Sequence, residues 1–219
     1  MGVRTFLSSF LGIALYVILF ISIAMILGIP TTSFITALAS CGVAIGLALQ
    51  GALGNLAGGI MILIFKPFKI GDYITTTSAS GTVSNITIMY TVLTTPDNKV
   101  ITIPNGTLTN SVIENYSTSE KRRVDLVFTT GYDCNIDKVK EILLTVANGH
   151  EKVLKDPEPF ARLTKHGDSS LEYTVRVWCM AGDYWDVNFD LMEAVKKDFD
   201  ANGISIPYPQ MDIHIDNVK

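Results

Sequence analysis

The first 65 residues of this chain carry a single charged side chain. Residues 5–65 form a run of 61 without Asp, Glu, Lys or Arg, although the 219-residue chain has 17 basic and 21 acidic residues. Only Arg4 precedes the run, and all other charges follow it. Soluble domains are built from short elements with polar faces and cannot bury so long an uncharged block. The run therefore predicts a region embedded in lipid.

The block divides into two segments of different composition. Residues 5–27 are rich in large apolar side chains, and as a helix they would extend about 35 Å, enough to cross a bilayer. This stretch is too long for the apolar core of a signal peptide. Phe6 stands where a myristoylation motif needs Ser or Thr. We predict a transmembrane helix over 5–27, ended by Gly28 and Pro30.

The second segment, residues 33–65, is dominated by Gly and Ala. A straight helix of this length would extend about 50 Å, which is far more than the hydrocarbon core needs. The sequence therefore predicts a kinked helix, with a spanning half at 33–50 and a half along the inner membrane surface at 54–65. The candidate break points are the glycines that lower the cost of leaving helical geometry: Gly51, Gly54, Gly58 and Gly59.

The charges that flank the block predict its orientation. Arg4 precedes the first span, the connection between the spans is uncharged, and Lys66 and Lys69 follow the second. By the positive-inside rule both termini are cytoplasmic, in a multi-pass protein of the cell membrane. The cytoplasmic remainder is mildly acidic, which argues against a nucleic-acid partner. The three cysteines are isolated and the histidines are scattered, so we expect no metal and no cofactor.

The remainder predicts two small domains. Residues 66–117 alternate between polar and apolar side chains and contain turn signals such as that at 104–106, which predicts a β domain of four or five strands. Residues 118–206 are typical of the order strand, helix, strand, strand, helix, strand, which is the ferredoxin-like α+β pattern. Its last strand is predicted at 204–206, and a further strand at 211–215.

On a helical wheel, the first half of the Gly/Ala segment presents three stripes. Val43 and Leu47 form an apolar stripe, and it is flanked on both sides by small residues. The small residues form two pairs at four-residue spacing: Gly42 with Gly46, and Ala44 with Ala48.

Small residues at this spacing let helix backbones approach closely in membranes. One such face makes a dimer, whereas two faces let each copy pack against neighbours on both sides, which is the geometry of a ring. The stripe of Val43 and Leu47 would then line the axis as apolar collars, which block ions by dewetting. Packing of this helix onto the first one within a monomer or dimer explains the same pattern.

Three separated stretches resemble the small-conductance mechanosensitive channel (MscS) family. They read GLALQGALGNLAGGIMILIFKPFKIGDYI, TPDNKVITIPNGTLTNSVIENYS and GISIPYPQMDIHI. The resemblance covers residues 33–215 in unbroken order. It implies a membrane protein that forms a homoheptameric channel, with an Sm-like β domain and a ferredoxin-like α+β domain forming a cytoplasmic cage. It also implies a C-terminal β-barrel, built here from residues 207–219.

The resemblance also implies roles for individual residues. It places the pore gate at Val43 and Leu47 and the helix kink at Gly51. The residues that it implies for packing between pore helices are Gly42, Ala44, Gly46 and Ala48. This chain departs from the family's archetype in two respects, because the archetype has Leu at both constrictions and three spans instead of two. The shorter Val43 predicts a wider outer collar.

The function that follows is a channel opened by membrane tension, which releases ions and small solutes non-selectively during hypo-osmotic shock. Its partners would be membrane lipids, other copies of the chain and the permeating ions and osmolytes. The alternative is a membrane-anchored module that binds a ligand and conducts nothing. We expect no enzymatic activity, because no acid–base pair or catalytic cluster emerges from the sequence.

Overall fold

The structure is a computed structural model that describes residues 2–213. The chain divides into two compact units. The first comprises residues 2–67, 84–94 and 98–112, and the second comprises residues 68–83, 95–97 and 113–213. Each unit is described in turn below.

The first unit begins with helix α1, Gly2–Ile26. Its long run of apolar residues favours a helix, and the chain leaves the helix at Gly28, whose φ of +73° suits glycine. The N–H of Ile29 donates to the carbonyl of Ala24 at 3.0 Å and closes the last turn. Pro30 then prevents the helix from continuing.

Two further helices follow, α2 (Thr32–Ala48) and α3 (Gln50–Phe65), with a bend of 60° between them. The predicted kink is therefore present, but none of the four glycines forms the break, which lies at Leu49. Leu49 has φ −94° and ψ 0°, a conformation open to residues with a side chain. Its N–H still reaches the carbonyl of Ile45 at 2.9 Å. Gly51 lies within the first turn of α3.

By length and composition, helix α1 can cross a membrane. Its segment Ser8–Ile26 has a mean hydropathy of 2.5. The bent pair α2 and α3 meets the same criterion only when the two helices are counted together as one span.

One of the two sheets has five strands in the order β4-β3-β2-β1-β5. The pairs β1 with β2, β1 with β5, and β3 with β4 are antiparallel. The short helix α4 (Asn105–Thr109) follows β4 directly, so the predicted turn at 104–106 is instead the start of a helix. The strands are β1 (Tyr73–Thr76), β2 (Ser80–Ile86), β3 (Tyr90–Thr94), β4 (Val100–Pro104) and β5 (Ile113–Asn115).

The rest of the second unit is an α+β layer with the sheet order β6-β8-β7. Strand β8 buries every second side chain, from Leu171 to Cys179, which is the period of a sheet covered on one face. The elements of this α+β layer are β6 (Lys121–Thr130), α5 (Ile136–Gly149), β7 (Phe160–His166), β8 (Leu171–Met180) and α6 (Tyr184–Ala201).

The two helices of this layer complete its core. Asn135 caps α5, since its side chain accepts from the N–H groups of Asp137 and Lys138 at 3.0 Å. Helix α6 contributes buried residues at four-residue spacing, from Val187 to Phe199, which is the pattern of an amphipathic helix.

The prediction of a last strand of the ferredoxin-like pattern at residues 204–206 is wrong. Residues 204–213 contain no strand. A backbone bond from the N–H of Gly131 to the carbonyl of Ser205 at 3.1 Å joins this segment to the end of β6. A strand needs a ladder of such bonds, and a single bond does not make one. The predicted strand at 211–215 and the tail extend to residues 214–219, which lie outside the described residues.

Candidate functional site

Helix α2 carries all six residues that the wheel assigned to the gate and to helix packing, from Gly42 to Ala48. The whole stretch is helical in the structure, so the three stripes keep their order around the helix. Val43 and Leu47 are 65% and 67% exposed, and none of the residues of α2 is buried. An uncharged and largely apolar helix without cover within its own chain must be covered by lipid or by other copies.

The small residues of α2 leave room for such a neighbour. A Cβ atom added at Gly42 or at Gly46 would meet no atom within 4 Å. Ala44 and Ala48 are also exposed. One explanation of the Gly/Ala pattern was that it packs α2 onto α1. Within the single chain, Gly42 and Gly46 take no part in such packing.

Helix α3 is held differently, because two of its glycines lie against backbone. A Cβ at Gly59 would lie 2.0 Å from the carbonyl oxygen of Ile88, and one at Gly58 would lie 2.8 Å from the carbonyl of Asn105. Both distances are shorter than any real Cβ contact. Gly58 and Gly59, predicted as break points, instead let a continuous helix lie directly against the loop before β3 and the start of α4.

The side chain of Asn105 is the centre of this contact region. Asn105 is fully buried. Its amide nitrogen donates to the carbonyl of Thr87 at 2.9 Å, and its amide oxygen accepts from the hydroxyl of Thr91 at 2.8 Å. Its backbone N–H donates to the carbonyl of Met89 at 2.9 Å. These bonds fix the loop between β2 and β3 to the start of α4, and so shape the surface against which α3 packs.

A second amide joins α3 to α4 directly. The side-chain oxygen of Asn55 accepts from the N–H of Gly106 at 2.9 Å. A Cβ at Gly106 would lie 2.9 Å from that same oxygen. Sequence reasoning missed Asn55, Thr91 and Asn105 as contact residues. The available signal was Asn55 itself, because it is a polar side chain in a helix that is otherwise apolar after Gln50.

Replacement of Asn105 by alanine is expected to destabilise the first unit by about 2–4 kcal/mol, because the buried Thr91 hydroxyl and the Thr87 carbonyl both lose their partner. Chemical denaturation followed by circular dichroism measures this change. Asn110→Ala is the matched control, since the Asn110 amide is exposed and donates to the carbonyl of Gly106 at 2.7 Å. Equal midpoints for the two variants would contradict the role assigned to Asn105.

Two family profiles match this chain over separate ranges. The family profile described as "Mechanosensitive ion channel, beta-domain" matches residues 51–118. The profile described as "Mechanosensitive ion channel MscS, C-terminal" matches residues 124–206. A curated relative from Helicobacter pylori, named small-conductance mechanosensitive channel, is 38% identical over 87% of this chain and 70% of its own length. The chain belongs to the MscS family of mechanosensitive ion channels.

Other relatives agree with this assignment to the MscS family. The small-conductance mechanosensitive channel of Edwardsiella ictaluri is 44% identical over 80% of this chain and 62% of its own length. An MscS family protein of Buchnera aphidicola is 43% identical over 86% of this chain and 67% of its own length. This chain therefore spans roughly two thirds of the length of the curated relatives that it matches.

Solved structures share the fold as well. The crystal structure of Helicobacter pylori MscS in its closed state superposes with a TM-score of 0.90 at 35% identity, covering 98% of this chain and 85% of that one. The cryo-EM structure of Arabidopsis thaliana MSL1 gives a TM-score of 0.81 at 21% identity, covering 93% of this chain and 76% of that one. The second likeness concerns the fold alone.

Proposed function

We propose that this chain forms a homoheptameric channel that membrane tension opens, and that releases ions and small solutes non-selectively during hypo-osmotic shock. The main support for the proposal is that no residue of α2 is buried within the single chain. This helix is uncharged and wholly exposed in the single chain, with Gly42 and Gly46 open to a neighbour. Membership of a family of mechanosensitive channels supports it.

The arrangement of small residues on α2 favours a ring over a pair. The face with Gly42 and Gly46 and the face with Ala44 and Ala48 lie on either side of Val43 and Leu47. Each copy can then pack one face against its left neighbour and the other against its right neighbour. Such contacts close into a ring whose axis is lined by the apolar stripe.

In the closed ring Val43 and Leu47 form two collars that exclude water. Ions cannot cross a narrow apolar constriction without losing their hydration shell, and no charged group of α2 compensates that loss. The shorter side chain of Val43 makes the outer collar the wider of the two. Strong selectivity between ions should not arise at these collars.

Tension opens the pore because it favours the state that occupies more area in the plane of the bilayer, and lipid supplies the difference in free energy. Helix α3 is fixed by Gly58, Gly59 and Asn55, whereas α2 has no such contacts. We propose that α2 tilts on the break at Leu49, with Gly51 as the adjacent flexible position, and withdraws both collars from the axis.

The remaining parts follow from this assembly. Both termini lie in the cytoplasm, with Lys66 and Lys69 next to the inner leaflet. The Sm-like β domain and the ferredoxin-like α+β domain form a cytoplasmic cage. Membrane lipids surround α1 and the outer side of α2.

Recordings from reconstituted bilayer patches under suction test the proposal. We expect stepwise currents that appear above a threshold tension and show similar permeability to cations and anions. A membrane-anchored binding module would give no current at any tension below rupture. Sevenfold symmetry of the particle in electron micrographs tests the assembly independently, and a monomer would overturn it.

Replacement of Gly46 by leucine is expected to raise the opening tension, because the bulky side chain obstructs the ridge along which neighbouring copies of α2 slide. The tension at half-maximal opening in suction recordings measures the effect. Gly12→Leu on α1 is the control, since a Cβ at Gly12 also meets nothing within 4 Å but lies outside the proposed ring contacts. A threshold unchanged by Gly46→Leu would count against the ring.

A further inference from the structure

A crevice of about 740 Å³ lies within the second unit. Its lining residues include Tyr73, Tyr116, Arg122 and Trp185. Three present aromatic rings, and the fourth presents a guanidinium. Its volume falls in the range of pockets that hold drug-sized or cofactor-sized molecules, of about 300–1,000 Å³.

The guanidinium of Arg122 is held in place by aromatic rings. Its central carbon lies 3.6 Å from the ring centroid of Tyr184 and 4.5 Å from that of Tyr116. Within the described part of the chain, no carboxylate forms an ion pair with Arg122. Ring contacts use the face of a guanidinium and leave the N–H donors at its edge available. Arg122 is therefore a fixed cation with hydrogen-bonding capacity to spare.

The neighbouring arginine, Arg123, pairs with a carboxylate instead of with aromatic rings. The Nε of Arg123 lies 3.0 Å from a carboxylate oxygen of Asp125, and Arg176 lies 3.1 Å from the same carboxylate. Arg123 is exposed and does not line the crevice. Arg122 and Arg123 are adjacent in β6, so their side chains point to opposite faces of the strand.

Three acidic residues that adjoin or contact lining residues of the crevice have partners of their own. Asp183 and Asp186 lie 3.0 Å and 2.6 Å from the Nζ of Lys152, and this ammonium lowers the pKa of Asp186. Glu114 accepts from the hydroxyl of Tyr116 at 2.5 Å. That bond raises the pKa of Tyr116, so its phenol stays neutral. The Lys152 ammonium offsets the negative charges of Asp183 and Asp186, which reduces the repulsion that an incoming anion would meet.

Trp185 provides the crevice with an exposed aromatic surface. Trp185 is 61% exposed, and it stacks on Phe189 with ring centroids 5.6 Å apart and an interplanar angle of 23°. Phe189 supports one face of the indole. The ring of Tyr184 also contacts Trp185, at right angles and with centroids 5.1 Å apart. The large exposed area of the indole can still accept a flat ring, as in sites that bind bases by stacking.

We propose that this crevice binds a small phosphate compound that carries a flat ring, of the size of a nucleoside monophosphate. The edge of the Arg122 guanidinium holds the phosphate, for which its planar fork is suited. The hydroxyl of Ser117, which lines the crevice and accepts the N–H of Tyr73 at 2.9 Å, has its own hydrogen to donate to the same group. The ring stacks on Trp185. A bare phosphate leaves most of the crevice empty.

Fluorescence of Trp185 in the purified full chain tests the proposal. Trp178→Phe leaves Trp185 as the single tryptophan, since the sequence contains 2. Titration with AMP is expected to quench its emission saturably. Ribose 5-phosphate and adenosine, each of which lacks half of the recognised chemistry, are expected to bind at least about tenfold more weakly. No saturable quenching by AMP, or equal binding of AMP and adenosine, would overturn the proposal.

Substitutions separate binding from a purely structural role of Arg122. In this background Arg122→Gln is expected to weaken AMP binding by at least about tenfold, because a charge-assisted hydrogen bond is lost. Arg122→Lys keeps the charge and the ring contacts but loses the planar fork, so it weakens binding while the protein still folds. Arg123→Gln is the matched control and leaves binding unchanged. AMP affinity unaffected by Arg122→Lys would show that Arg122 only joins Tyr116 to Tyr184.

Discussion

Replacement of Leu47 by serine is expected to give channels that open at much lower tension than the wild type. Leu47 is two thirds exposed in the single chain, and in the proposed ring it is buried only against its symmetry mates. Removing its side chain eliminates about 1.5–3 kcal/mol of apolar stabilisation per copy. Since each 1.4 kcal/mol is a factor of about ten in an equilibrium, the ratio of open to closed channels should rise at least tenfold. Tension at half-maximal opening in suction recordings measures this shift.

The second collar offers a stronger form of the same experiment. Val43→Asp places a carboxylate from every copy at the constriction, where repulsion and hydration both favour a wide, wet pore. We expect a leak without tension, visible as slow growth of the expressing cells and as current in unstressed patches. Ile45→Ser is the control for both variants, because Ile45 is also apolar and exposed but lies on the opposite side of α2. If the gate does not lie at Val43 and Leu47, all three variants should open at the same tension as the wild type.

Much of the fold follows from local patterns in the sequence. The uncharged run predicts helices where the structure has α1, α2 and α3. The amphipathic spacing predicts α5 and α6, because each helix must bury one face against the adjacent sheet. The turn and strand signals predict a β domain of four or five strands, and the structure has five. These features depend on residues within a few positions of each other.

The predictions that failed depend on distant residues. Glycine was expected to mark the bend, yet the break at Leu49 needs only a conformation open to any residue. Gly58 and Gly59 serve a different purpose, because Ile88 and Asn105 approach them from far along the chain. No local pattern reveals that approach. The stripes on α2 were predictable from helical periodicity, but what covers them is decided by other copies of the chain.

Replacement of Gly59 by alanine is expected to destabilise the first unit strongly. The new Cβ would lie 2.0 Å from the carbonyl oxygen of Ile88 and 2.6 Å from the amide nitrogen of Asn105. Neither group can move aside cheaply, because the first is backbone and the second is fixed by its bonds to Thr87 and Thr91. Overpacking of this kind costs about 1–3 kcal/mol, occasionally more, and we expect the upper end.

Gly54→Ala provides a matched control on the same helix. A Cβ at Gly54 meets nothing within 4 Å, so alanine there should stabilise α3 by about 0.5–1 kcal/mol through its higher helix propensity. Thermal unfolding followed by circular dichroism compares the two variants. We expect the melting temperature to fall by roughly 5–10 °C for Gly59→Ala and to stay level or rise for Gly54→Ala. Similar melting temperatures for both variants would mean that α3 does not pack against the loop before β3, and that the fixed end from which α2 is proposed to tilt does not exist.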